Sequence, residues 1–258
     1  MSLPLTELAI KYRCDKYRPE KALITRQGTT MELAGHLYAP HYDFHFSPFR
    51  HREINVLEIG VGGFDDPKAG GESLRMWKEY FPKAQIVGLD YYDKTSMQED
   101  RIRIYQGSQD DATLLQRIHD ECGGFDIIVD DGSHRCDHVI ASFKILFPLL
   151  KTGGVYAVED LKTSYWKVTG GSSTDLTATS TSMGFFKSLL DGLNYKEFEL
   201  PGYEPTYFDK HIVSMTFYHS IGFITKGNND EESIIMVNNQ MPEVLADAFP
   251  KFDWMQAP

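Results

Sequence analysis

The sequence predicts an α/β domain built on a doubly wound, mostly parallel β-sheet. Short apolar segments of strand length alternate with segments of helical spacing through the middle of the chain. The last two predicted strands, 212–217 and 222–226, are joined by only four residues, which indicates an antiparallel hairpin. We expect a single domain over 1–258, with a helical and aromatic N-terminal cap at 1–50 and the sheet-forming core at 51–258.

The first 50 residues are not expected to form a sheet. Residues 3–12 have the apolar spacing of a helix, and a loop is expected to follow as far as Thr30. Aromatic residues and four histidines come next: His36, His41, His45 and His51. Such a tract can bind a metal. We favour a cap on the domain or the lining of a cofactor pocket, because an acidic site further along the chain already supplies ligands.

The core is expected to begin with a strand that runs into a glycine turn and then alternates with helices. The predicted elements are, in order, strand 55–60, helix 72–81, strand 85–90, strand 101–107 and helix 112–120. A strand–helix–strand unit at 125–160 completes this part of the core. We expect the two strands of that unit to be parallel, so that both carboxyl ends emerge at the same edge of the sheet.

Acidic residues follow both strands of the 125–160 unit. If the two strands are neighbours, Asp131, Glu159 and Asp160 converge on one point. Three carboxylates in one cleft repel each other unless a cation lies among them. Oxygen ligands favour Mg²⁺, with Mn²⁺ or Ca²⁺ as alternatives, whereas a zinc site would recruit more His or Cys. The segment therefore predicts a magnesium site.

Two further residues of this segment have different expected roles. His134 comes three residues after Asp131, where its imidazole could act as a base beside the metal. Asp130 ends the strand, and an acid at such a position is also a common helix cap or turn former. We include Asp130 among the candidate cofactor residues, with the cap as the alternative.

The glycine turn at 60–63 is expected to hold a cofactor. Glycines at a strand-to-helix turn let a ligand approach the backbone and meet a helix N-terminus. A dinucleotide would place its pyrophosphate there, and S-adenosylmethionine its methionine portion. Glu58, Asp65 and Asp66 surround the turn and would repel a pyrophosphate, whereas they accommodate an ammonium and a sulfonium. The local charge therefore favours S-adenosylmethionine.

Residues at the ends of the next two strands complete the predicted cofactor site. Asp90 is placed to bind ribose hydroxyls with both of its oxygens. Ser108 and Gln109 follow the third strand and are expected near the adenine.

A polar segment at 161–181 directly follows the acidic site and is rich in Ser, Thr and Gly. We interpret it as a mobile flap in which Tyr165 and Trp166 contact the substrate, the alternative being an ordinary surface loop. A helix is expected near 183–193. The aromatic residues Phe249, Phe252 and Trp254 near the C-terminus are expected to pack on this chain or on a neighbouring subunit, and we expect a homo-oligomer.

Composition excludes several classes of partner. The chain has 258 residues and a net charge of -11, which argues against nucleic acid or an anionic membrane as the main partner. No apolar run approaches the roughly 20 residues that span a bilayer. The N-terminus has no signal-peptide pattern, and the three cysteines are widely spaced without a CxxC pair. We expect a cytoplasmic protein with reduced cysteines.

Several stretches together carry a family resemblance. They are Val-Leu-Glu-Ile-Gly-Val-Gly-Gly-Phe-Asp-Asp-Pro at 56–67, Phe-Asp-Ile-Ile-Val-Asp-Asp-Gly-Ser-His at 125–134, Gly-Gly-Val-Tyr-Ala-Val-Glu-Asp-Leu at 153–161 and Tyr-His-Ser-Ile-Gly-Phe at 218–223. Through these motifs the sequence resembles the Mg²⁺-dependent macrolide sugar O-methyltransferases. The similarity covers nearly the whole chain.

The resemblance implies a class I, Rossmann-like methyltransferase fold that uses S-adenosylmethionine and Mg²⁺. It implies Asp131, Glu159 and Asp160 as the metal ligands and His134 as the general base. It further implies that the cofactor is held by Glu58, Gly60, Gly62, Gly63, Phe64, Ser73 and Asp90. The substrate would be a sugar hydroxyl, either of a glycosylated natural product or of a nucleotide-linked deoxysugar.

Two other functions remain open at the level of sequence. One is a metal-dependent hydroxylase or another oxidoreductase on a similar fold, although the usual His ligands of a redox metal are missing from the acidic cluster. The other is a non-catalytic module that retains only the cofactor pocket. The residues do not identify the sugar, the hydroxyl or the oligomer size.

Overall fold

The computed structural model describes residues 3–26 and 29–246. Its helices are α1 Leu5–Tyr12, α2 Ala39–Phe46, α3 Glu72–Tyr80, α4 Ala112–Cys122, α5 Cys136–Leu149, α6 Ser182–Ser188, α7 Tyr207–His211 and α8 Glu243–Ala246. Its strands are β1 Ala22–Arg26, β2 Thr29–Leu33, β3 Asn55–Ile59, β4 Gln85–Asp90, β5 Ile102–Gln106, β6 Phe125–Asp130, β7 Leu150–Val158, β8 Ile212–Tyr218 and β9 Ile221–Lys226.

The main sheet has seven strands in the order β5-β4-β3-β6-β7-β9-β8. Strands β3 to β7 are parallel, and β8 and β9 form an antiparallel pair that joins the sheet through β7. The chain builds outward from β3 to β5 and then returns to the other side of β3 with β6. That reversal opens a crevice at the carboxyl ends of β3 and β6, which is where ligands bind in open α/β sheets. The predicted sheet and hairpin are confirmed.

Helices cover both faces of the sheet, because successive side chains of each strand point to opposite faces. Val56 packs with Trp77 of α3 and the N-terminal helices, whereas its neighbour Leu57 packs with Phe143 of α5 on the other face. Helix α4 begins where Asp111 accepts hydrogen bonds from two backbone amides of the first turn. The alternating strands and helices predicted from the sequence therefore form the sheet and the helix layers on its two faces.

The expectation that the first 50 residues form no sheet is wrong. Strands β1 and β2 pair antiparallel, in a register that sets Ala22 opposite Leu33 and Arg26 opposite Thr29. The two five-residue strands contain β-branched residues typical of strands. Their pattern is too short to show period-two alternation clearly, and a two-stranded ribbon depends on the rest of the fold for its stability.

The aromatic stretch before the core packs onto the C-terminal hairpin. His41 stacks on Tyr218 with ring centroids 3.8 Å apart, and His45 stacks on Phe223 at 4.1 Å. Tyr42 is fully buried between these rings and the core. This arrangement agrees with a cap rather than with a histidine metal site.

The segment after β7 contains two 3₁₀ helices, Leu161–Tyr165 and Lys167–Thr169. The helix expected near 183–193 is α6, followed by a 3₁₀ helix at Asp191–Glu197. The predicted packing of Phe249, Phe252 and Trp254 lies outside the described residues. None of the helices between residues 3 and 246 is long and apolar enough to cross a membrane.

Candidate active site

The glycine turn after β3 is wedged against the loop that follows β6. Gly60 has a φ of 94°, and a Cβ atom at this position would lie 2.1 Å from the carbonyl oxygen of Asp131. Its amide donates to the carbonyl of Leu89 at 2.8 Å, while the amide of Asp131 donates to the carbonyl of Ile59 at 3.0 Å. Only glycine fits this close approach with a left-handed φ. The predicted cofactor turn and the predicted metal loop are therefore in direct contact.

The rest of the turn is compact and ends in an exposed aromatic residue. Gly62 and Gly63 have φ angles of 83° and 77°, and a Cβ atom on Gly63 would lie 2.1 Å from the carbonyl oxygen of Ala69. Phe64 has a φ of 49° and is 76% exposed. Ser73 lies in the first turn of α3 and is nearly buried. These predicted cofactor residues therefore lie in one turn and in the first turn of the helix after it.

Asp90 is fixed to the same turn from the end of β4. Its Oδ2 accepts a hydrogen bond from the amide of Val61 at 2.8 Å, and its Oδ1 accepts one from the amide of Tyr92 at 2.8 Å. Carboxylate oxygens accept more than one hydrogen bond. The Asp90 side chain can therefore still accept hydrogen bonds from a ribose beside the turn.

Hydrogen bonds to other protein groups engage the side chains of three predicted cofactor residues, Asp130, Gln109 and Ser108. The Asp130 carboxylate is fully buried and accepts hydrogen bonds from Ser142, Tyr156 and the Gln109 amide, at 2.5, 2.9 and 3.1 Å. Burial raises the pKa of Asp130, and the Ser142 hydroxyl lowers it in part. The Gln109 carbonyl oxygen accepts from the amide of Ser133 at 2.8 Å.

This buried network links the strand ends beneath the site. Asp130 faces hydroxyl groups inside the fold, and its role toward the cofactor, or as a helix cap or turn former, stays a prediction. Gln109 orients the loop that carries the candidate base, and the Ser108 hydroxyl donates to Asp110. Their predicted contacts with the cofactor stay predictions.

The structure brings the predicted metal ligands and base together. His134 Nε2 lies 3.8 Å from Asp131 Oδ1 and 3.7 Å from Asp160 Oδ2. Glu159 is buried beside Asp131, and both are within 2.7 Å of one ammonium group. Strands β6 and β7 are neighbours, with Asp130 opposite Val158. The side chains expected at this sheet edge are therefore neighbours, but among the described residues they are not grouped as closely as a bound ion requires.

That ammonium group belongs to Lys16, which sequence reasoning did not select as a site residue. Its Nζ lies 2.6 Å from Glu159 Oε1, 2.7 Å from Asp131 Oδ2 and 2.9 Å from Glu58 Oε1, and the side chain is 1% exposed. Burial alone would lower the pKa of Lys16. The carboxylates of Asp131, Glu159 and Glu58 together raise it well above its usual range, so the lysine is charged.

Glu58 was expected to face the methionine portion of the cofactor. It is fully buried instead, with Oε1 beside Lys16 and Oε2 accepting from the Trp77 indole at 3.1 Å. Burial raises the pKa of Glu58, and Lys16 lowers it in part. In this arrangement its charge is balanced within the protein.

Each candidate metal ligand has one oxygen already engaged. Glu159 Oε1 also accepts from the Tyr42 hydroxyl at 2.5 Å. Asp160 Oδ1 accepts from Tyr38 at 2.8 Å and from Lys162 at 2.6 Å. No hydrogen bond from residues 3–26 or 29–246 reaches the other oxygens, Asp131 Oδ1, Glu159 Oε2 and Asp160 Oδ2.

The charge around these oxygens is unbalanced. Four carboxylates (Glu58, Asp131, Glu159 and Asp160) face two ammonium groups (Lys16 and Lys162), which leaves two formal negative charges. Burial and then repulsion from Asp131 raise the pKa of Glu159 well above its usual range. A hard divalent cation would balance this surplus, and carboxylate oxygens are the ligands it prefers.

The carboxylates do not yet enclose an ion as they stand. Across the described ranges, 3–26 and 29–246, no three His, Cys, Asp or Glu side chains are grouped closely enough to hold one. Lys16 lies between Asp131 and Glu159. The donor chemistry and the charge fit a divalent ion.

Two residues at the site have backbone conformations that are unusual for residues other than glycine. His134 has a φ of 55° and Asp160 a φ of 54°. Such left-handed conformations persist only where the surrounding structure enforces them, and they are often found at functional sites. Here they place the imidazole of one loop against the carboxylate of the next.

The predicted substrate residues follow directly. Tyr165 and Trp166 are 41% and 48% exposed and lie at the end of the first 3₁₀ helix after Asp160. Within the part of the chain that the structure describes, no hydrogen bond joins their side chains to the carboxylates. Their role toward a substrate stays a prediction.

Proteins of known function are similar in sequence to this chain over most of its length. Mycinamicin VI 2''-O-methyltransferase of Micromonospora griseorubida is 43% identical over 228 residues, which are 88% of this chain and 57% of that protein. Demethylmacrocin O-methyltransferase of Streptomyces fradiae is 43% identical over 223 residues, which are 86% of this chain and 56% of that protein. The chain is a relative of the macrolide sugar O-methyltransferases. It spans little more than half their length.

A solved structure gives the same result for the fold. The MycE methyltransferase from the mycinamycin biosynthetic pathway, in complex with Mg and SAH, superposes with a TM-score of 0.83 at 41% identity, over 96% of this chain and 60% of that one. The class I methyltransferase fold expected from the sequence is therefore confirmed. No protein-family model matches the chain.

Proposed function

We propose that this chain is an S-adenosylmethionine- and Mg²⁺-dependent O-methyltransferase that acts on a sugar hydroxyl of a glycosylated natural product or of a nucleotide-linked deoxysugar. One observation carries the proposal. Asp131, Glu159 and Asp160 each keep one oxygen without a hydrogen bond from the described residues, beside His134 and next to the Gly60 turn. Relatives named as O-methyltransferases of mycinamicin VI, of demethylmacrocin and of a rhamnosyl tetracenomycin support it.

The three carboxylates would hold the cation, and His134 would take the proton. When bound, a divalent ion lowers the pKa of a hydroxyl and orients it. His134 Nε2 points between Asp131 and Asp160 and is partly exposed, so it can reach a hydroxyl placed against those oxygens. The imidazole would accept the proton of that hydroxyl.

The cofactor would lie along the Gly60 turn. S-Adenosylmethionine supplies an electrophilic methyl group when bound. The residues of this chain would fix its orientation, with Asp90 toward the ribose and the backbone of 60–63 toward the methionine portion; the position of Asp90 against the turn supports this. The turn touches the Asp131 loop, so the residues that would hold the methyl donor adjoin those that would hold the acceptor hydroxyl. Positioning of this kind supplies much of the rate in bimolecular transfer.

Two variants test the roles separately. Asp131→Asn should lose Mn²⁺ binding, measured by electron paramagnetic resonance, while S-adenosylhomocysteine binding, measured by calorimetry, stays near that of the parent protein. His134→Ala should keep both ligands and lose about 10² to 10⁴ in turnover. Full turnover in His134→Ala would remove the imidazole from the mechanism, and unchanged Mn²⁺ binding in Asp131→Asn would remove the carboxylate.

We also propose the remaining expectations about organisation. The chain would form one domain, with a cap at 1–50, a core at 51–258 and a flap at 161–181. The burial of Lys16 of the cap against carboxylates of the core supports this. Exposed apolar residues on the cap, Ile10, Leu37 and Phe44, support a homo-oligomer. Light scattering that gives the mass of one 29.4 kDa chain would contradict a homo-oligomer.

Three unpaired cysteines support a cytoplasmic location.

A further inference from the structure

The N-terminal cap reaches the candidate cation site through one buried side chain. Lys16 belongs to the cap, yet its ammonium lies 115 and 143 residues away in sequence from the carboxylates it contacts. An ammonium group has three donors and no acceptor. Here it has three carboxylates within 2.9 Å, those of Glu58, Asp131 and Glu159.

The main chain of Lys16 is fixed as firmly as its ammonium. Its carbonyl oxygen accepts hydrogen bonds from the amides of Tyr38 and Ala39, at 2.8 and 3.1 Å. These amides open α2, where they have no partner within the helix. The same helix carries Tyr42, whose hydroxyl donates to the Glu159 oxygen that Lys16 also contacts. Lys16 therefore ties the start of α2 and the carboxylates into one unit.

The contacts of Lys16 are selective among the carboxylate oxygens. It takes Asp131 Oδ2 and Glu159 Oε1, and leaves Asp131 Oδ1 and Glu159 Oε2 without hydrogen bonds from the described residues. Carboxylates that bind a metal are commonly oriented by hydrogen bonds to the oxygen that does not face the ion. Lys16 contacts one oxygen of each carboxylate in this way, and the other oxygen is left for an ion.

We propose that Lys16, together with Tyr42, is a positioning residue of the cation site, which turns one oxygen of Asp131 and one of Glu159 toward the ion. It also neutralises Glu58, which would otherwise be a buried and unpaired charge. This inference rests on the proposed function, because it requires a cation among the carboxylates. A purely structural role, in which Lys16 only balances Glu58, is the alternative.

A charge-matched variant separates the two roles. Lys16→Met combined with Glu58→Gln removes one ammonium and one carboxylate, so the formal surplus of two negative charges is unchanged. The amide oxygen introduced by Glu58→Gln can still accept from Trp77. If Lys16 only balances Glu58, the double variant should bind Mn²⁺ as the parent protein does. If Lys16 positions Asp131 and Glu159, the affinity should fall by about 10- to 100-fold.

The measurement is Mn²⁺ binding to metal-depleted protein by electron paramagnetic resonance, with the melting temperature taken on the same samples. Lys226→Met is the matched control, because Lys226 is also buried but donates to the carbonyls of Pro148 and Leu150 at the opposite edge of the sheet. It should lower the melting temperature and leave Mn²⁺ affinity unchanged. Tyr42→Phe removes a single hydroxyl and should weaken Mn²⁺ binding several-fold, and it decides the matter if the double variant does not fold.

The possible outcomes are distinct. Unchanged Mn²⁺ affinity in the double variant or, failing its folding, in Tyr42→Phe overturns the inference. Tighter binding in the double variant would show that the ammonium competes with the ion, and overturns it as well. Absence of Mn²⁺ binding by the parent protein would instead count against the proposed function and remove the premise of the inference.

Discussion

Substitution of Gly60 by alanine tests the contact between the two halves of the site. The new Cβ atom would lie 2.1 Å from the carbonyl oxygen of Asp131, at a φ of 94°. A left-handed conformation costs an alanine about 1–2 kcal/mol, and forcing a methyl group into packed surroundings costs about 1–3 kcal/mol more. Gly60→Ala should therefore lower the free energy of unfolding by about 2–5 kcal/mol.

The control is Gly123→Ala. Gly123 ends α4 with a φ of 75°, and a Cβ atom there would have no atom within 4 Å. This variant carries the backbone cost alone, about 1–2 kcal/mol. At about 2–4 °C per kcal/mol for a domain of this size, thermal unfolding should separate the two variants by several degrees.

Binding measurements extend the same comparison. Because the Gly60 turn and the Asp131 loop must move apart, Gly60→Ala should also weaken S-adenosylhomocysteine and Mn²⁺ together, whereas Gly123→Ala should weaken neither. Equal losses of stability in the two variants, or unchanged affinity for both ligands in Gly60→Ala, would refute the reasoning.

Two further predictions concern the cofactor and the cap. Asp90→Ala should weaken S-adenosylhomocysteine at least tenfold in calorimetry, because it removes the carboxylate that we propose for the ribose, and unchanged affinity would remove Asp90 from the pocket. Burial lowers the pKa values of His41 and His45, so protonation favours the unfolded chain. Their stabilising contribution is present above about pH 6.5 and is lost as the pH falls through the folded values. The fall in melting temperature between pH 7.5 and pH 5.5 should shrink when both are replaced by Phe, and an equal fall would contradict this assignment.

The fold was predictable because its signals are local. Strands β3, β4 and β6 are short, largely apolar runs, and an acid or a glycine marks where each one ends, so this sheet edge and its carboxylates follow from spacing. The ribbon of β1 and β2 has no comparable signal. Each of its strands has five residues, and its pairing depends on the surrounding fold.

The buried contacts of Lys16, Glu58 and Asp130 could not be predicted from local sequence patterns. Lys16 contacts carboxylates more than 100 residues away, and its burial is set by packing of the cap rather than by any pattern around position 16. The same contact explains why Glu58 is enclosed instead of facing a cofactor. Asp130 ends β6 with its carboxylate toward Ser142 and Tyr156, whereas Asp131 lies in the loop after the strand and contacts Lys16. Adjacent acids in the sequence therefore have separate roles.

The most direct test of the central claim is methyl transfer itself under control of the divalent ion. The purified protein would be given S-adenosylmethionine with mycinamicin VI, demethylmacrocin and 8-demethyl-8-alpha-L-rhamnosyl tetracenomycin-C, substrates named for its relatives. Formation of S-adenosylhomocysteine would be followed in Mg²⁺, in EDTA, and in EDTA with Mg²⁺ added back. We predict transfer to at least one glycoside that is abolished by EDTA and restored by Mg²⁺. Transfer that continues undiminished in EDTA would contradict the proposed function, and no transfer to any of the three would contradict glycosides of this kind as the acceptor.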